Sequence, residues 1–228
     1  MEFIKANEHQ RTAIMSTEGP LLIIAGPGTG KTFTLINRTL NLIVNKNVDP
    51  CRILLTTFTE KAAHEMVSRL STALYEQKKD FNPNEMYIGT FHSICLKIIK
   101  DNVAFSSLKK NFRLMDSFDQ QYFIYRNYRK FKEINGFESF YDKGTVWDRC
   151  SDLMSDINKL TEETIDFGKL LASANAIHQF FGKVLQLYAN LRIENNLLDF
   201  SSIQVEAYQM LQSNEELRKK IIDSIDYV

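Results

Sequence analysis

Leu21-Leu22-Ile23-Ile24-Ala25-Gly26-Pro27-Gly28-Thr29-Gly30-Lys31-Thr32 is the stretch that decides how this chain is read. An apolar run passes directly into a loop with glycine at every second position, then a lysine and a threonine. The pattern fits the P-loop, with Ala25 where the commoner form has glycine. The chemistry requires these residue types. Glycines let successive backbone N–H groups turn toward one anion. Lys31 adds a point charge near the outer phosphates, and the Thr32 hydroxyl is placed to ligate a magnesium ion. The helix that follows directs its positive end at the same phosphates. A strand before and a helix after are the context the motif needs, and the residues on either side predict both. A chance glycine turn would lack that context.

The rest of the composition narrows the class. The chain has 228 residues, 44% of them hydrophobic and 25% charged, as in an ordinary soluble globular protein of one large or two small domains. Its longest purely apolar run, residues 21–25, is far too short to span a membrane, and no membrane partner is expected. Residues 1–5 lack the charged start and apolar core of a secretory signal. Cys51, Cys95 and Cys150 have neither metal-ligand spacing nor a disulfide pattern, and read as reduced thiols of a cytoplasmic protein. Net charge is zero but uneven. Residues 1–110 carry 14 basic against 10 acidic side chains, and the remainder 14 against 18, a weak pointer to an anionic partner for the first half.

Periodicity divides the chain near residue 103. Before it, helix and strand patterns alternate. Helices are predicted over 7–16, 32–44, 59–77 and 91–100, and strands over 21–25, 52–56 and 86–89, with Asn82-Pro83-Asn84 as a break. Such alternation implies an α/β fold, a parallel sheet covered by helices, with ligands at the carboxyl ends of the strands. After residue 103 helical periodicity dominates, most clearly over 174–191, and strand-like runs nearly vanish. The aromatics between Phe118 and Phe140 read as the core of a helical bundle. Two stretches, Leu114-Met115-Asp116 and Leu197-Leu198-Asp199, imitate an apolar strand ending in a metal-holding carboxylate, but both aspartates suit helix caps better. Residues 221–228 begin a β-like run with no carboxylate after it. The acidic half of a phosphoryl-transfer site is therefore expected to be missing, and the chain to be truncated.

Further segments carry a resemblance. The chain resembles the superfamily I DNA helicases of the UvrD/Rep/PcrA type over essentially its whole length. Asn7-Glu8-His9-Gln10-Arg11-Thr12-Ala13 looks like that family's Q motif, whose glutamine reads the adenine edge. Residues 25–32 match its alanine-first P-loop. Thr56-Thr57-Phe58-Thr59-Glu60-Lys61-Ala62-Ala63-His64-Glu65-Met66 resembles motif Ia, and Gly89-Thr90-Phe91-His92-Ser93 the next DNA-contact motif. Asp116-Ser117-Phe118-Asp119-Gln120 and Leu198-Asp199-Phe200 are further signposts.

The resemblance implies a P-loop NTPase with a RecA-like parallel sheet and an inserted all-helical subdomain. Residues 1–102 and 216–228 would form an incomplete ATP-binding motor domain, and 103–215 the insertion. It implies an ATP-dependent DNA helicase that uses ATP and Mg2+, acts on single-stranded DNA and duplex junctions, and works with the remaining helicase domains of its parent chain. The catalytic Lys31 and Thr32, with Gln10, Ala25, Gly26, Pro27, Gly28, Thr29 and Gly30, would bind nucleotide, Thr32 also holding the metal. Thr57, Phe58, Thr59, Lys61, Thr90, Phe91 and His92 would contact DNA, the aromatic rings by stacking and the others through phosphates. The family's DExx motif, second motor domain and arginine finger would be absent, leaving this polypeptide inactive alone. Glu60 stands where the family usually has asparagine, and a carboxylate there would repel a phosphate. Two other classes remain open on residues alone: a P-loop kinase or other small NTPase, which needs an acid the chain does not convincingly supply, and a nucleotide-binding module without helicase activity.

Overall fold

The computed structural model describes residues 5–79, 82–83 and 85–228. Residues 1–4, used above to judge a signal segment, and Asn84 of the expected break lie outside the described residues. The chain divides into two compact units, Met1–Ile94 with Lys219–Val228, and Cys95–Arg218.

The first unit is built around a pair of parallel strands. β1 (Leu54–Thr57) pairs with β2 (Tyr87–Thr90), Leu54 opposite Tyr87 and Thr57 opposite Thr90. Three helices precede or connect them: α1 (Glu8–Met15), α2 (Lys31–Leu40) and α3 (Glu60–Glu76). Each starts where its local chemistry dictates. Asn7 and Gln10 form a reciprocal capping box on α1. The Thr59 hydroxyl accepts from the Ala62 N–H and caps α3. Ala63, Met66, Leu70 and Leu74 then recur at helical spacing and are buried. Met66, Leu70 and Leu74 join Ile36 and Leu40 of α2 and Ile53 and Leu55 at the sheet in one core.

α1 is fastened to α2 by polar groups. The Arg38 guanidinium donates to the carbonyls of Ala13 (2.7 Å) and Ser16, satisfying the open end of α1. The buried Asn41 side chain donates to the Ile14 carbonyl at 3.1 Å and accepts from Asn45 at 2.8 Å. This is where the expected α-helix over 32–44 departs from α geometry. Residues Asn41–Asn45 form a π turn, closed by Lys46 N–H to the Asn41 carbonyl at 3.0 Å. The wider turn lets Asn41 face inward.

A second difference concerns the apolar run itself. Residues 21–25, expected to be a strand, pair with no other strand among the described residues. Leu22 is 84% exposed and Ile24 90% exposed. A strand is defined by its ladder, and an apolar segment without a neighbour stays extended and solvated. The other end of the sheet is also open. Tyr227 forms a parallel bridge with Ile53, and Leu54 N–H donates to the Tyr227 carbonyl at 2.8 Å. Asp226 is held there by the Arg52 guanidinium, which keeps its carboxyl below the usual range. A cavity of about 780 Å3 is lined both by residues just ahead of the apolar run (Thr17, Gly19) and by Asp226 and Tyr227.

α4 (Phe91–Asp101) leads out of β2. The second unit is mostly helical but not wholly so. Two three-residue strands, β3 (Arg113–Met115) and β4 (Leu197–Asp199), pair in parallel. They are the two stretches whose acids imitated a metal site. Asp116 caps α5 (Ser117–Arg126), accepting from Asp119 N–H (2.7 Å); Asp199 is not itself the N-cap, which is Ser201, but accepts from Ser202 N–H (3.0 Å) at the start of the following helix. The expectation that strands nearly vanish here, leaving an all-helical insertion, is corrected by this ladder. Periodicity cannot register strands of three residues.

Around it lie α6 (Tyr128–Lys132), α7 (Phe137–Phe140), α8 (Val146–Glu162), α9 (Phe167–Leu171), α10 (Ala176–Glu194) and α11 (Ser202–Ser213), with α12 (Glu215–Ser224) leading back to the first unit. Ile124, Phe131, Phe137, Tyr141, Leu153, Phe180, Val184 and Tyr188 share the core. Burial pushes the Cys150 thiol in this core up to about 11. The aromatic cluster is only partly core, however. Phe118, Tyr122 and Tyr125 point outward.

A buried polar network ties β4 to the helices. Asp199 accepts from the hydroxyls of Tyr188 (2.9 Å), Ser201 (2.7 Å) and Ser202 (2.9 Å). Burial and the Asp199 charge raise the Tyr188 hydroxyl well above its ordinary value. The buried Arg192 pairs with Glu206 at 3.3 Å and lies 4.0 Å from Asp199. Breaking such a pair leaves an uncompensated buried charge. Arg192→Met should therefore cost this unit about 3 kcal/mol or more in stability. Urea unfolding followed by Trp147, the chain's one tryptophan, checks it. A loss below about 1 kcal/mol would mean that the pair contributes no more than an exposed one.

Candidate functional site

The loop before α2 has the backbone of an anion cradle. Gly28 and Gly30 adopt left-handed torsions, φ 74° and 85°, and Gly30 caps α2. The first N–H groups of a helix have no partner within it, so they remain available to an anion. Within the loop, the Thr29 hydroxyl donates to the Gly26 carbonyl at 2.8 Å. The Lys31 ammonium curls back over the loop and donates to the carbonyls of Gly26 (2.7 Å) and Ala25 (3.1 Å). Thr32 follows on the first turn, exposed, and no hydrogen bond of its hydroxyl is found among the described residues. No group of three or more acidic, histidine or cysteine side chains able to hold a metal occurs among the described residues.

Gln10 is brought to this loop by α1. Its Nε2 donates to the Thr29 carbonyl at 3.0 Å, and its Oε1 accepts from Asn7 N–H at 3.0 Å. Both ends of the amide are thus engaged within the protein. Its contact with the loop is close enough that a Cβ on Gly30 would sit 2.9 Å from Gln10 Nε2.

The sequence motifs after β1 and β2 are brought side by side by the parallel register. Thr57 at the end of β1 lies opposite Thr90 at the end of β2. Phe58 is fully exposed, and Phe91 largely so. Lys61 is exposed on the first turn of α3. Two of the threonine hydroxyls already have work within the protein. Thr59 caps α3, and the buried Thr90 donates to Glu60 Oε1 at 2.8 Å while accepting from Ser93 N–H at 3.2 Å. His92 is half-buried behind them. Glu60 therefore binds the neighbouring motif. Sequence reasoning treated it only as a source of repulsion. No local signal announces this bond, because its partners stand thirty positions apart.

Gly89 belongs to the same arrangement. A Cβ there would meet Ser93 Oγ at 2.2 Å, so a larger residue would displace the Ser93 hydroxyl from its bond to the Thr90 carbonyl. Arg38 and Asn41, which fix α1 and so Gln10, were not singled out in the sequence. A polar residue at the end of an amphipathic helix carries no mark of what it will cap.

An apolar segment, a glycine loop at a helix N-terminus and a parallel sheet define a P-loop protein of the α/β class. The family model of the UvrD/REP helicase N-terminal domain matches residues 6–228, and the chain belongs to that family. It is 33% identical over 223 residues to a probable DNA helicase II homolog of Mycoplasma capricolum, covering 97% of this chain and 29% of that protein. It is 32% identical over 227 residues to the ATP-dependent DNA helicase Rep of Buchnera aphidicola, covering 97% and 31% respectively. The ATP-dependent DNA helicase PcrA of Leuconostoc citreum is 29% identical over 222 residues, 97% of this chain and 28% of the relative. The chain thus spans less than a third of the length of these relatives. No helix among the described residues is long and apolar enough to cross a membrane.

The two ends of the glycine loop respond differently to substitution. Gly30→Ala places a Cβ against Gln10 in a left-handed conformation, costing about 1–2 kcal/mol in torsion before the clash. Gly26 is not left-handed, and a Cβ there meets nothing nearer than Thr29 Cγ2 at 3.8 Å. Thermal unfolding should show Gly30→Ala clearly destabilised and Gly26→Ala within about 0.5 kcal/mol of the parent. Equal stabilities would contradict the loop geometry described here.

Proposed function

We propose that this chain is the ATP-binding part of an ATP-dependent DNA helicase or translocase. The observation that carries the reading is the loop from Gly26 to Thr32: left-handed glycines set a run of N–H groups ahead of α2, with a lysine folded over them. The two compact units would correspond to part of a motor domain and a subdomain inserted into it. ATP use and DNA binding follow from the names of the relatives, and a cytoplasmic setting suits such a protein.

In the proposed mechanism Lys31 exchanges the carbonyls of Ala25 and Gly26 for phosphate oxygens, a charge-assisted bond in place of two neutral acceptors. The N–H groups of Gly28 to Thr32 would bind the same phosphates, Pro27 having none to offer. Thr32 would hold a magnesium ion, which would supply positive charge to offset that of the phosphates. Gln10 would release Asn7 or Thr29 to present its amide to adenine, so nucleotide binding would loosen the start of α1. Phe58 and Phe91 offer flat apolar faces to unpaired bases, and Lys61 a charge to the backbone of single-stranded DNA. Glu60, bound to Thr90, would brace the two DNA-contact turns against each other and keep its charge off the strand. Duplex junctions and the other domains of a longer parent chain are the further partners proposed.

Three measurements test this. Lys31→Ala removes the one charge inside the loop; a hydrogen bond to a charged group contributes about 1.5–3 kcal/mol, so ATP affinity by calorimetry should fall ten-fold or more. Unchanged affinity would overturn the nucleotide site. Phe58→Ala should weaken single-stranded DNA binding by several-fold, since stacking contributes ~1–3 kcal/mol per base; anisotropy equal to the parent would remove Phe58 from the interface. Phosphate release by this 228-residue polypeptide alone should stay near background with or without DNA. It carries Lys31 and Thr32 but no acidic group placed at the loop, and an arginine finger is worth ~10³–10⁵ in rate. DNA-stimulated turnover abolished by Lys31→Ala would show that the chain supplies its own catalytic acid.

A further inference from the structure

The outer face of α5 carries Phe118, Tyr122 and Tyr125 at positions i, i+4 and i+7, while Gln120 and Ile124 on the opposite face are buried. The three rings are 65%, 47% and 45% exposed. They form a continuous row. Phe118 and Tyr122 have centroids 6.5 Å apart and planes within 3° of parallel. Tyr122 and Tyr125 are again 6.5 Å apart, inclined by 18°. Trp147, from the first turn of α8, closes the row from the side at 5.8 Å from Phe118 and 5.7 Å from Tyr125. Gln121 pins that turn by donating to the Trp147 carbonyl at 3.0 Å.

Four adjoining rings at a surface are unlike the scattered single apolar residues that every protein exposes. Hydrophobic burial does not account for them, because the core of this unit lies on the other side of α5. What surrounds them discriminates between partners. Arg126 ends α5, and Arg129 and Lys130 follow on α6; none is paired with a carboxylate among the described residues, and Arg126 and Lys130 line a cavity with Phe123 and Asn195. The nearby Glu138 is taken up by Lys132 and Arg149. Of the acids beside the rings, the exposed Asp116 caps the N-terminal end of α5, where Asp119 is half-buried, and the exposed Asp148 accepts from Thr145; the cations stand toward the C-terminal end. An apolar protein partner would gain from the rings but not from the uncompensated cations. A strand of unpaired bases uses both, stacking on the rings and setting phosphates against the guanidinium groups.

We propose that this aromatic row is a second binding site for single-stranded DNA, on the helical unit and separate in sequence from the turns after β1 and β2. The choice of DNA as the polymer rests on the proposed helicase function; the existence of a stacking site rests on the rings and charges alone. Binding here would be indifferent to sequence, because every base has a face to stack, and sensitive to salt, because its charge contacts are to phosphates.

The molecule carries its own reporter, since Trp147 is the chain's one tryptophan. Titrating the 228-residue chain with oligothymidylate should quench Trp147 emission saturably, with a midpoint that rises with salt. Tyr122→Ala with Tyr125→Ala should raise that midpoint at least five-fold, and Tyr122→Phe with Tyr125→Phe should restore it. Phe58→Ala should leave the quenching in place. Four outcomes would overturn the proposal. Oligonucleotide binding that is seen by anisotropy, is lost in Phe58→Ala and never quenches Trp147 leaves the helicase reading standing and removes this site. A midpoint unaltered in the double alanine variant does the same. A change in Trp147 emission that follows protein concentration without DNA assigns the row to contact with a second copy. No binding by either readout removes this site and the DNA reading together.

Discussion

Gly30 lies at φ +85°, a torsion that any other residue would occupy only under strain. The site depends on it in three ways. It turns the chain from the extended apolar run into α2, so the free N–H groups of the first helical turn stand at the loop. It leaves room for Gln10 Nε2, which reaches the Thr29 carbonyl and joins α1 to the loop. It also sets the direction from which Lys31 leaves the backbone, and hence its reach back to Ala25 and Gly26. Arg38 and Asn41 secure the other end of α1. The loop is therefore held from both sides before any ligand arrives, with the lysine standing where an anion would be drawn.

A comparable economy links the two turns that follow β1 and β2. The parallel register brings Thr57 and Thr90 level, and the Thr90–Glu60 bond ties one turn to the other. Thr59, Glu60 and Thr90 are engaged within the protein, while Phe58, Phe91 and Lys61 remain exposed outside. That division suits a surface that binds a polymer without reading it: the fixed groups define shape, and the exposed rings provide sequence-neutral contact. The same division recurs on α5, where Gln120 and Ile124 face inward and Phe118, Tyr122 and Tyr125 outward.

What could be read from the sequence was local. The glycine loop, the helix over 59–77 that becomes α3 and the helix-start role of Asp116 all arise within a few residues. What could not be read needs a partner distant in sequence. Residues 21–25 have every mark of a strand, yet without a neighbour they form no ladder. β3 and β4 are recognisable only as a pair, since neither is long enough to show a period. The π turn depends on Asn41 finding the Ile14 carbonyl, and the role of Glu60 on Thr90. The rings of α5 show a further limit. A spacing of three and four says that residues share a face, not whether that face looks inward, and here the same helix carries both kinds.

The account turns on a loop already shaped for phosphates and covered by Lys31. Backbone hydrogen exchange at Gly28, Thr29, Gly30, Lys31 and Thr32 tests it most directly, comparing the chain alone, with inorganic pyrophosphate and with magnesium ATP. Exchange at these amides should slow with either ligand, and further with ATP as adenine engages the neighbourhood of Gln10. Exchange at these five amides that neither ligand alters would contradict the claim that this loop is a phosphate site.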